Sequence, residues 1–75
     1  MEPYANRSGN SSVIAFEIGD DSITVQFKGG SAYLYNYGST GVTHVEQMKV
    51  LARDGIGLAS YINRHVRKAY AAKMG

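Results

Sequence analysis

The sequence contains no cysteine and no tryptophan among its 75 residues. The lack of cysteine excludes disulfides, thiolate catalysis and cysteine-ligated zinc, and it is compatible with a reducing compartment. No apolar run approaches the roughly 20 residues that span a bilayer, and the polar first segment lacks the apolar core of a signal peptide. We therefore expect a cytoplasmic protein with no membrane partner.

Residue groupings that support catalysis or metal binding are also scarce. The histidines, His44 and His65, fall on different predicted helices, and neither has a partner at metal-ligand spacing. No serine occupies the Gly-x-Ser-x-Gly elbow of a hydrolase. The adjacent Asp20 and Asp21 are typical of a turn. No helix is predicted directly after Gly29-Gly30, which favours a hairpin turn over a phosphate-binding loop. The sequence predicts a non-enzymatic protein without a metal or cofactor.

Hydrophobic patterning predicts one α+β domain over residues 13–72, between a flexible tail at residues 1–12 and a short tail at residues 73–75. Apolar residues alternate in three segments separated by short turns, which predicts a three-stranded antiparallel meander over residues 13–18, 22–27 and 32–37. Two segments with helical spacing follow, one ending before Gly55 and one covering residues 58–72. This β-β-β-α-α order indicates that both helices pack on one face of the sheet.

The first predicted helix has a capping motif and a charged face. Thr43 and Glu46 have the spacing of a capping box, in which each side chain bonds to the backbone of the other residue. Glu46, Lys49 and Arg53 fall opposite the apolar stripe, so we expect these three side chains to face solvent.

Three tyrosines alternate along the third predicted strand and therefore point to one face of the sheet: Tyr33, Tyr35 and Tyr37. Which face they occupy depends on the hairpin register, because a one-residue slip reverses every side chain. If only the two glycines form the loop, Phe27 pairs with Ala32 and the tyrosines line the open face as a stacking platform for bases. If Ser31 joins the loop, Phe27 pairs with Tyr33 and the rings belong to the core.

Positive charge concentrates in the second half of the chain. Residues 1–40 contain two basic and four acidic residues, whereas residues 41–75 contain six basic and two acidic residues. Basic residues cluster on one side of the second predicted helix and continue after it: Arg64, Arg67, Lys68 and Lys73. Such residues oppose the helix macrodipole, and they also form a patch that contacts phosphates without sequence preference.

Several of these residues resemble a known family. The pattern Val25-x-Phe27, Gly30, Tyr33-Leu34-Tyr35 and Tyr61-Ile62-Asn63-Arg64-His65-Val66-Arg67 is similar to the KTSC domain, which is named for the C-terminus of some lysyl-tRNA synthetases. The family also includes short free-standing bacterial and phage proteins, and the similarity covers approximately residues 12–70. The resemblance implies RNA or tRNA as a partner, with five positions to test: Tyr33, Tyr35, Asn63, Arg64 and Arg67. Members typically carry a polar residue where this chain has Leu34, which implies that the tyrosines face inward.

Two hypotheses of function follow. The leading one is a small non-enzymatic module that binds RNA through the basic helix face and tyrosines, with Tyr61, Lys68 and Lys73 added to the five family positions. The alternative is a protein-interaction or self-association module. It would use the exposed edge of the third strand or the open sheet face, where we expect Val13, Ala15 and Leu34.

Overall fold

The structure, a computed structural model, describes residues 1–74, which form an α+β domain around a five-stranded antiparallel sheet. The elements are β1 (Glu2–Pro3), β2 (Val13–Ile18), β3 (Ser22–Phe27), β4 (Ala32–Asn36), α1 (Tyr37–Thr40), α2 (Val42–Asp54), α3 (Leu58–Tyr61), a π-helical segment (Ile62–Val66) and β5 (Ala72–Met74). The strands are ordered β1-β2-β3-β4-β5 in the sheet. The α+β class is confirmed, whereas the predicted count of three strands is wrong.

The two additional strands come from segments that the composition assigned to tails. β1 pairs with β2, and the next residue, Tyr4, is only 6% exposed and accepts a hydrogen bond from the Leu58 N–H (3.3 Å). At the other end, β5 pairs with β4, with Ala72 opposite Leu34. Boundaries at residues 13 and 72 would leave β1 and most of β5 outside the domain, and Gly75 lies outside the described residues. At the N-terminal end, the buried ring of Tyr4 anchors a segment whose average composition is that of a flexible tail.

The β3–β4 hairpin places the tyrosines on the sheet face that the helices cover. Its paired residues are Ile23 with Tyr35, Val25 with Tyr33 and Gln26 with Ala32. The Phe27 N–H donates to the Ser31 carbonyl (2.8 Å), so residues 28–30 form the loop. This loop differs from both registers considered, but it gives the tyrosines the inward orientation of the core alternative. The row of tyrosines on the open face is therefore wrong.

A β-bulge in β2 changes which of its residues face the core. Val13 pairs with Phe27 while Ala15 pairs with Gln26, so Ile14 is an extra residue in the ladder. As a result Val13 is 1% exposed and belongs to the core, whereas Ile14 is 42% exposed. The expectation that Val13 lies on the open face is wrong, because the bulge reverses the alternation at this end of the strand.

The helices bury the other half of the core against the sheet. Their inward side chains contact those of the central strands: Val45, Met48, Ala52, Leu58, Ile62 and Val66. α2 begins at Val42 with Gly41 as its N-cap and no side-chain cap, so the predicted Thr43 capping box is wrong because Thr43 is already helical. α2 ends at Gly55 in the left-handed conformation, as expected for a C-cap glycine. Within residues 1–74, no helix is long and apolar enough to cross a membrane.

The second helix is shorter in the structure than the predicted range of residues 58–72. Its α-helical part, α3, covers one turn, the π-helical segment follows, and the chain then leaves the helix to form β5. The last residues favour helix by intrinsic propensity. Pairing with the edge of β4 overrides that preference, because it satisfies backbone groups that β4 would otherwise expose. The same pairing removes the exposed third-strand edge of the interaction hypothesis.

A polar network joins α2 to the turn between β2 and β3. Lys49 is 5% exposed, and its Nζ donates to Glu46 Oε2 (2.8 Å) and to the Asp20 carbonyl (3.0 Å). Tyr37 Oη donates to the same Glu46 oxygen (2.6 Å). The expectation that Lys49 faces solvent is wrong, because this network provides partners for a buried ammonium.

Candidate functional site

An open pocket lies between the β3–β4 hairpin and the π-helical segment. Its volume is about 450 Å³, within the range of roughly 300–1,000 Å³ that is typical of small-molecule sites. Four aromatic side chains line it: Phe27, Tyr33, Tyr35 and Tyr70. The hairpin supplies the first three rings, and Tyr70 comes from the connection between the π-helical segment and β5.

The four rings of the pocket form a continuous edge-to-face series. Ring centroids are 5.5 Å apart for Phe27 and Tyr33, 4.7 Å for Tyr33 and Tyr70, and 6.3 Å for Tyr35 and Tyr70. Edge-to-face packing fixes the relative positions of the rings. Phe27, Tyr33 and Tyr70 are half-buried and keep part of their surface available, whereas Tyr35 is fully buried behind them.

The Tyr35 hydroxyl is unusual among the buried polar groups. Of the buried side-chain oxygen and nitrogen atoms in residues 1–74, it is the one that lacks a hydrogen-bond partner. Burial, reinforced by the neighbouring Tyr33 and Tyr70, raises the pKa of Tyr35 to about 12. An unpartnered buried hydroxyl costs roughly 1–3 kcal/mol of desolvation, so this atom lowers the stability of the fold.

Three cations and three small polar groups complete the pocket. The cations are Lys28 in the hairpin loop with Arg67 and Lys68 after the π-helical segment, and the polar groups are Ser12, Ser31 and Asn63. All three cations are exposed, and within residues 1–74 none of them forms an ion pair. Their charges are therefore available to an anion that enters the pocket.

A smaller polar depression adjoins this pocket. It has a volume of about 250 Å³ and shares Ser12 and Asn63 with the pocket. Its other walls carry hydroxyl and amide groups from Ser8, Asn10 and Ser60. The two concavities together form a path from the aromatic rings across the N-terminal loop.

Five of the predicted site residues meet in the pocket: Tyr33, Tyr35, Asn63, Arg67 and Lys68. Lys73 lies at its rim, where the ammonium is 5.7 Å from the centroid of the Tyr33 ring. Arg64 is exposed but is not part of the lining, and Tyr61 lies elsewhere. The structure therefore groups most, but not all, of the residues that the charge pattern and the family resemblance suggested.

Tyr61 instead belongs to a cluster with both histidines. Its hydroxyl is 2.7 Å from His44 Nδ1, and its ring centroid is 4.5 Å from that of His65. The two imidazole rings stack with centroids 5.7 Å apart. Patterning placed the histidines on separate helices but did not indicate that these helices pack with the rings in contact. In residues 1–74, no three His, Asp or Glu side chains converge as metal ligands would.

Two residues of the pocket lining, Lys28 and Tyr70, were not among the predicted site residues. Lys28 was placed in the hairpin turn but not among the candidate site residues, and the observed loop brings it to the pocket. Tyr70 was assigned to a continuing helix, whereas the chain turns there before β5. The π-helical segment that precedes this turn has no sequence signature, although such segments occur frequently at functional sites.

Comparisons with known proteins add no relatives to this description. No protein-family model matches the chain, and no curated protein or solved structure does so either. The resemblance to the KTSC domain therefore depends on the residues quoted for it.

Proposed function

We propose that this domain is a small, non-enzymatic cytoplasmic module that binds single-stranded RNA in the pocket between the β3–β4 hairpin and the π-helical segment. One observation carries the proposal: unpaired cations and partly exposed aromatic rings converge on a single concave surface. Phosphates and bases are the two chemical groups that this combination recognises.

The charge and the rings have separate roles in the proposal. Lys28, Arg67 and Lys68 contact the phosphate backbone and provide affinity that does not depend on sequence. Tyr33 and Tyr70 provide aromatic surface on which an unpaired base stacks, which contributes about 1–3 kcal/mol per base in single-strand binding proteins. Bases in a duplex are already stacked on their neighbours, so the rings favour a single strand.

The family resemblance supports the same ligand. We propose that the chain is a free-standing member of the KTSC family, whose association with a tRNA ligase favours RNA, tRNA included, as the partner. Four of the family positions, Tyr33, Tyr35, Asn63 and Arg67, lie in the pocket lining, and Tyr35 is the fully buried one. The pocket supports this proposal more directly than the fold does, because a fold alone supports many functions.

The experiment is a set of affinity measurements with a ten-nucleotide single-stranded RNA at several salt concentrations. With three phosphate contacts, log K should fall against log salt with a slope of about −2. Arg67→Gln should reduce affinity severalfold and the slope by about 0.7. Arg64→Gln is the matched control, since it removes the same charge three residues away, outside the lining.

Two results would contradict the proposal. One is equal weakening by Arg64→Gln and Arg67→Gln, which would show that diffuse charge and not the pocket attracts the RNA. The other is binding of a polyglutamate peptide as tightly as the RNA of equal length, which would assign the cations to an acidic protein partner.

The open sheet face favours a second candidate, protein interaction or self-association. The helices pack on one face of the sheet, so the opposite face carries partly exposed residues from three strands: Ala15, Thr24, Gln26 and Leu34. Sedimentation at high concentration tests this candidate. Salt-insensitive self-association that Leu34→Gln abolishes would support it, and a monomer at every concentration would contradict self-association.

A further inference from the structure

We infer that the pocket admits one unpaired RNA base, whose polar edge forms a hydrogen bond with the buried Tyr35 hydroxyl while the adjoining phosphates contact Arg67 and Lys68. This inference rests on the proposed RNA-binding function and adds a base-reading group to it. The ligand class is then a single strand with at least one base that is free to leave its stack.

The hydroxyl of Tyr35 differs from those of three other tyrosines in its lack of a hydrogen-bond partner. The hydroxyls of Tyr4, Tyr37 and Tyr61 all lie within hydrogen-bond distance of a backbone or side-chain group. Tyr35 is the most deeply buried of the four, yet its hydroxyl has no partner within residues 1–74. Buried polar groups in native proteins are nearly always paired, so a ligand that supplies the partner accounts for the exception.

The depth at which Tyr35 is buried decides which part of a nucleotide can reach its hydroxyl. Tyr35 is fully buried and packs against Tyr70, and a phosphate at this depth would lose its hydration. A base is flat, largely apolar on its faces and polar at its edge, so it fits between rings and still offers a hydrogen-bonding atom. The cations of the pocket are exposed, where a phosphate remains partly solvated.

Access to the Tyr35 hydroxyl requires one covering ring to turn. Tyr70 suits this role because it lies in the irregular connection before β5 and packs against both Tyr33 and Tyr35. Its neighbours are held by backbone hydrogen bonds, from the Ala69 N–H to the Val66 carbonyl and from the Ala71 N–H to the Leu34 carbonyl. The side chain of Tyr70 can therefore turn without breaking these backbone hydrogen bonds.

The polar depression beside the pocket offers a path for the RNA strand. It shares Ser12 and Asn63 with the pocket and carries hydroxyl and amide groups, which suit ribose hydroxyls and phosphate oxygens. A nucleotide next to the inserted base can lie there without stacking. The inserted base and its neighbouring nucleotide then occupy the pocket and the depression respectively.

The test uses two five-nucleotide strands of equal charge, one entirely abasic and one carrying a single base at its centre. Wild type should bind the strand with the base about tenfold or more tightly than the abasic strand. Tyr35→Phe should lose on the order of tenfold of that preference for at least one of the four bases, because the base edge loses its partner. Tyr61→Phe is the matched control, since it removes a tyrosine hydroxyl outside the pocket, and it should retain the preference.

The outcomes separate this inference from the proposed function. Equal binding of both strands by wild type would show phosphate contact alone and overturn base insertion, while RNA binding would stand. A preference that persists unchanged in Tyr35→Phe for all four bases would overturn the role of the hydroxyl. Failure of wild type to bind any single-stranded RNA at low salt would overturn both.

Discussion

Two clusters of tyrosine and basic side chains lie at opposite ends of β3 and β4, and they differ in how completely their polar groups are paired. At the end beside the β2–β3 turn, which we call the paired end, Lys49, Glu46 and Tyr37 form a closed network with the Asp20 carbonyl. The pocket extends from the β3–β4 loop at the other end, which we call the pocket end. Its lining includes the unpartnered Tyr35 hydroxyl, and its cations have no acidic partner within residues 1–74.

The difference indicates that the two ends serve different purposes. At the paired end, Lys49 lowers the pKa of Glu46, and Tyr37 also donates to the Glu46 carboxylate. The hydrogen bond from Lys49 to the Asp20 carbonyl fastens α2 to the turn between β2 and β3. At the pocket end the same residue types provide no internal pairing. Buried polar groups without a partner reduce stability, and strained or unsatisfied groups cluster at functional sites. We therefore attribute stability to the paired end and, under the proposed function, binding to the pocket end.

The largest expected effect is the loss of the Tyr35 ring. Tyr35→Ala should lower the free energy of unfolding by about 3–5 kcal/mol, because it removes a fully buried aromatic side chain from the core. Urea denaturation measures the change. A loss below about 1 kcal/mol would indicate an exposed ring and restore the open-face stacking platform.

The next largest effect should come from alkaline pH, which should lower the free energy of unfolding through the ionisation of Tyr35. The folded-state pKa of Tyr35 is about 12, above the ordinary value of about 10 for an unfolded chain. The stability linked to this group is therefore complete below pH 10 and is lost as pH rises from 10 to 12. The loss amounts to about 2–3 kcal/mol at 1.36 kcal/mol per pKa unit.

The measurement is urea denaturation of wild type and Tyr35→Phe across this pH range. The difference between their unfolding free energies isolates the contribution of Tyr35, because every other ionisable group is common to both proteins. Parallel curves for the two proteins would contradict the deep burial of the hydroxyl.

A somewhat smaller effect is expected at the paired end. Lys49→Met should destabilise the domain by about 1.5–3 kcal/mol, the contribution of hydrogen bonds to a charged group. Arg53→Met is the control on the same helix, because Arg53 is exposed and its replacement should change stability by less than about 0.5 kcal/mol. Equal effects of the two substitutions in thermal denaturation would show that the network contributes little.

The smallest effect has the opposite sign. Tyr35→Phe should stabilise the domain by about 1 kcal/mol near neutral pH, because it removes a buried polar atom that has no partner. Tyr37→Phe, which removes a paired hydroxyl, should not stabilise it. A loss of stability in Tyr35→Phe would mean that its hydroxyl is satisfied in solution and would weaken the contrast between the two ends.

The parts of the fold that depend on local patterning could be predicted from the sequence. Alternation identified β2, β3 and the strand with the tyrosines, and helical spacing with Gly55 identified α2. β1 and β5 could not be found in this way, because their residues form strands only when a neighbouring edge is present. The bulge at Ile14 was missed for a related reason, since one inserted residue leaves the apolar pattern unchanged.

The candidate site was predictable in its helical half. Asn63, Arg67 and Lys68 were found from charge and the family resemblance, because they lie close together on one segment. The hairpin half depended on loop length, and a loop that includes Lys28 was not considered. Tyr70 depended on where the helix ends, and that end is fixed by the pairing of β5 with β4 and not by the helix sequence.

The most direct test of the contrast is an NMR chemical-shift titration of the whole domain with single-stranded RNA at low salt. We predict salt-sensitive amide shifts at the pocket end, around Lys28, Asn63 and Arg67, and none at Tyr37 and Lys49 of the paired end. Shifts confined to the paired end, shifts spread evenly over the surface, or no shifts at all would contradict the assignment of binding to the pocket end.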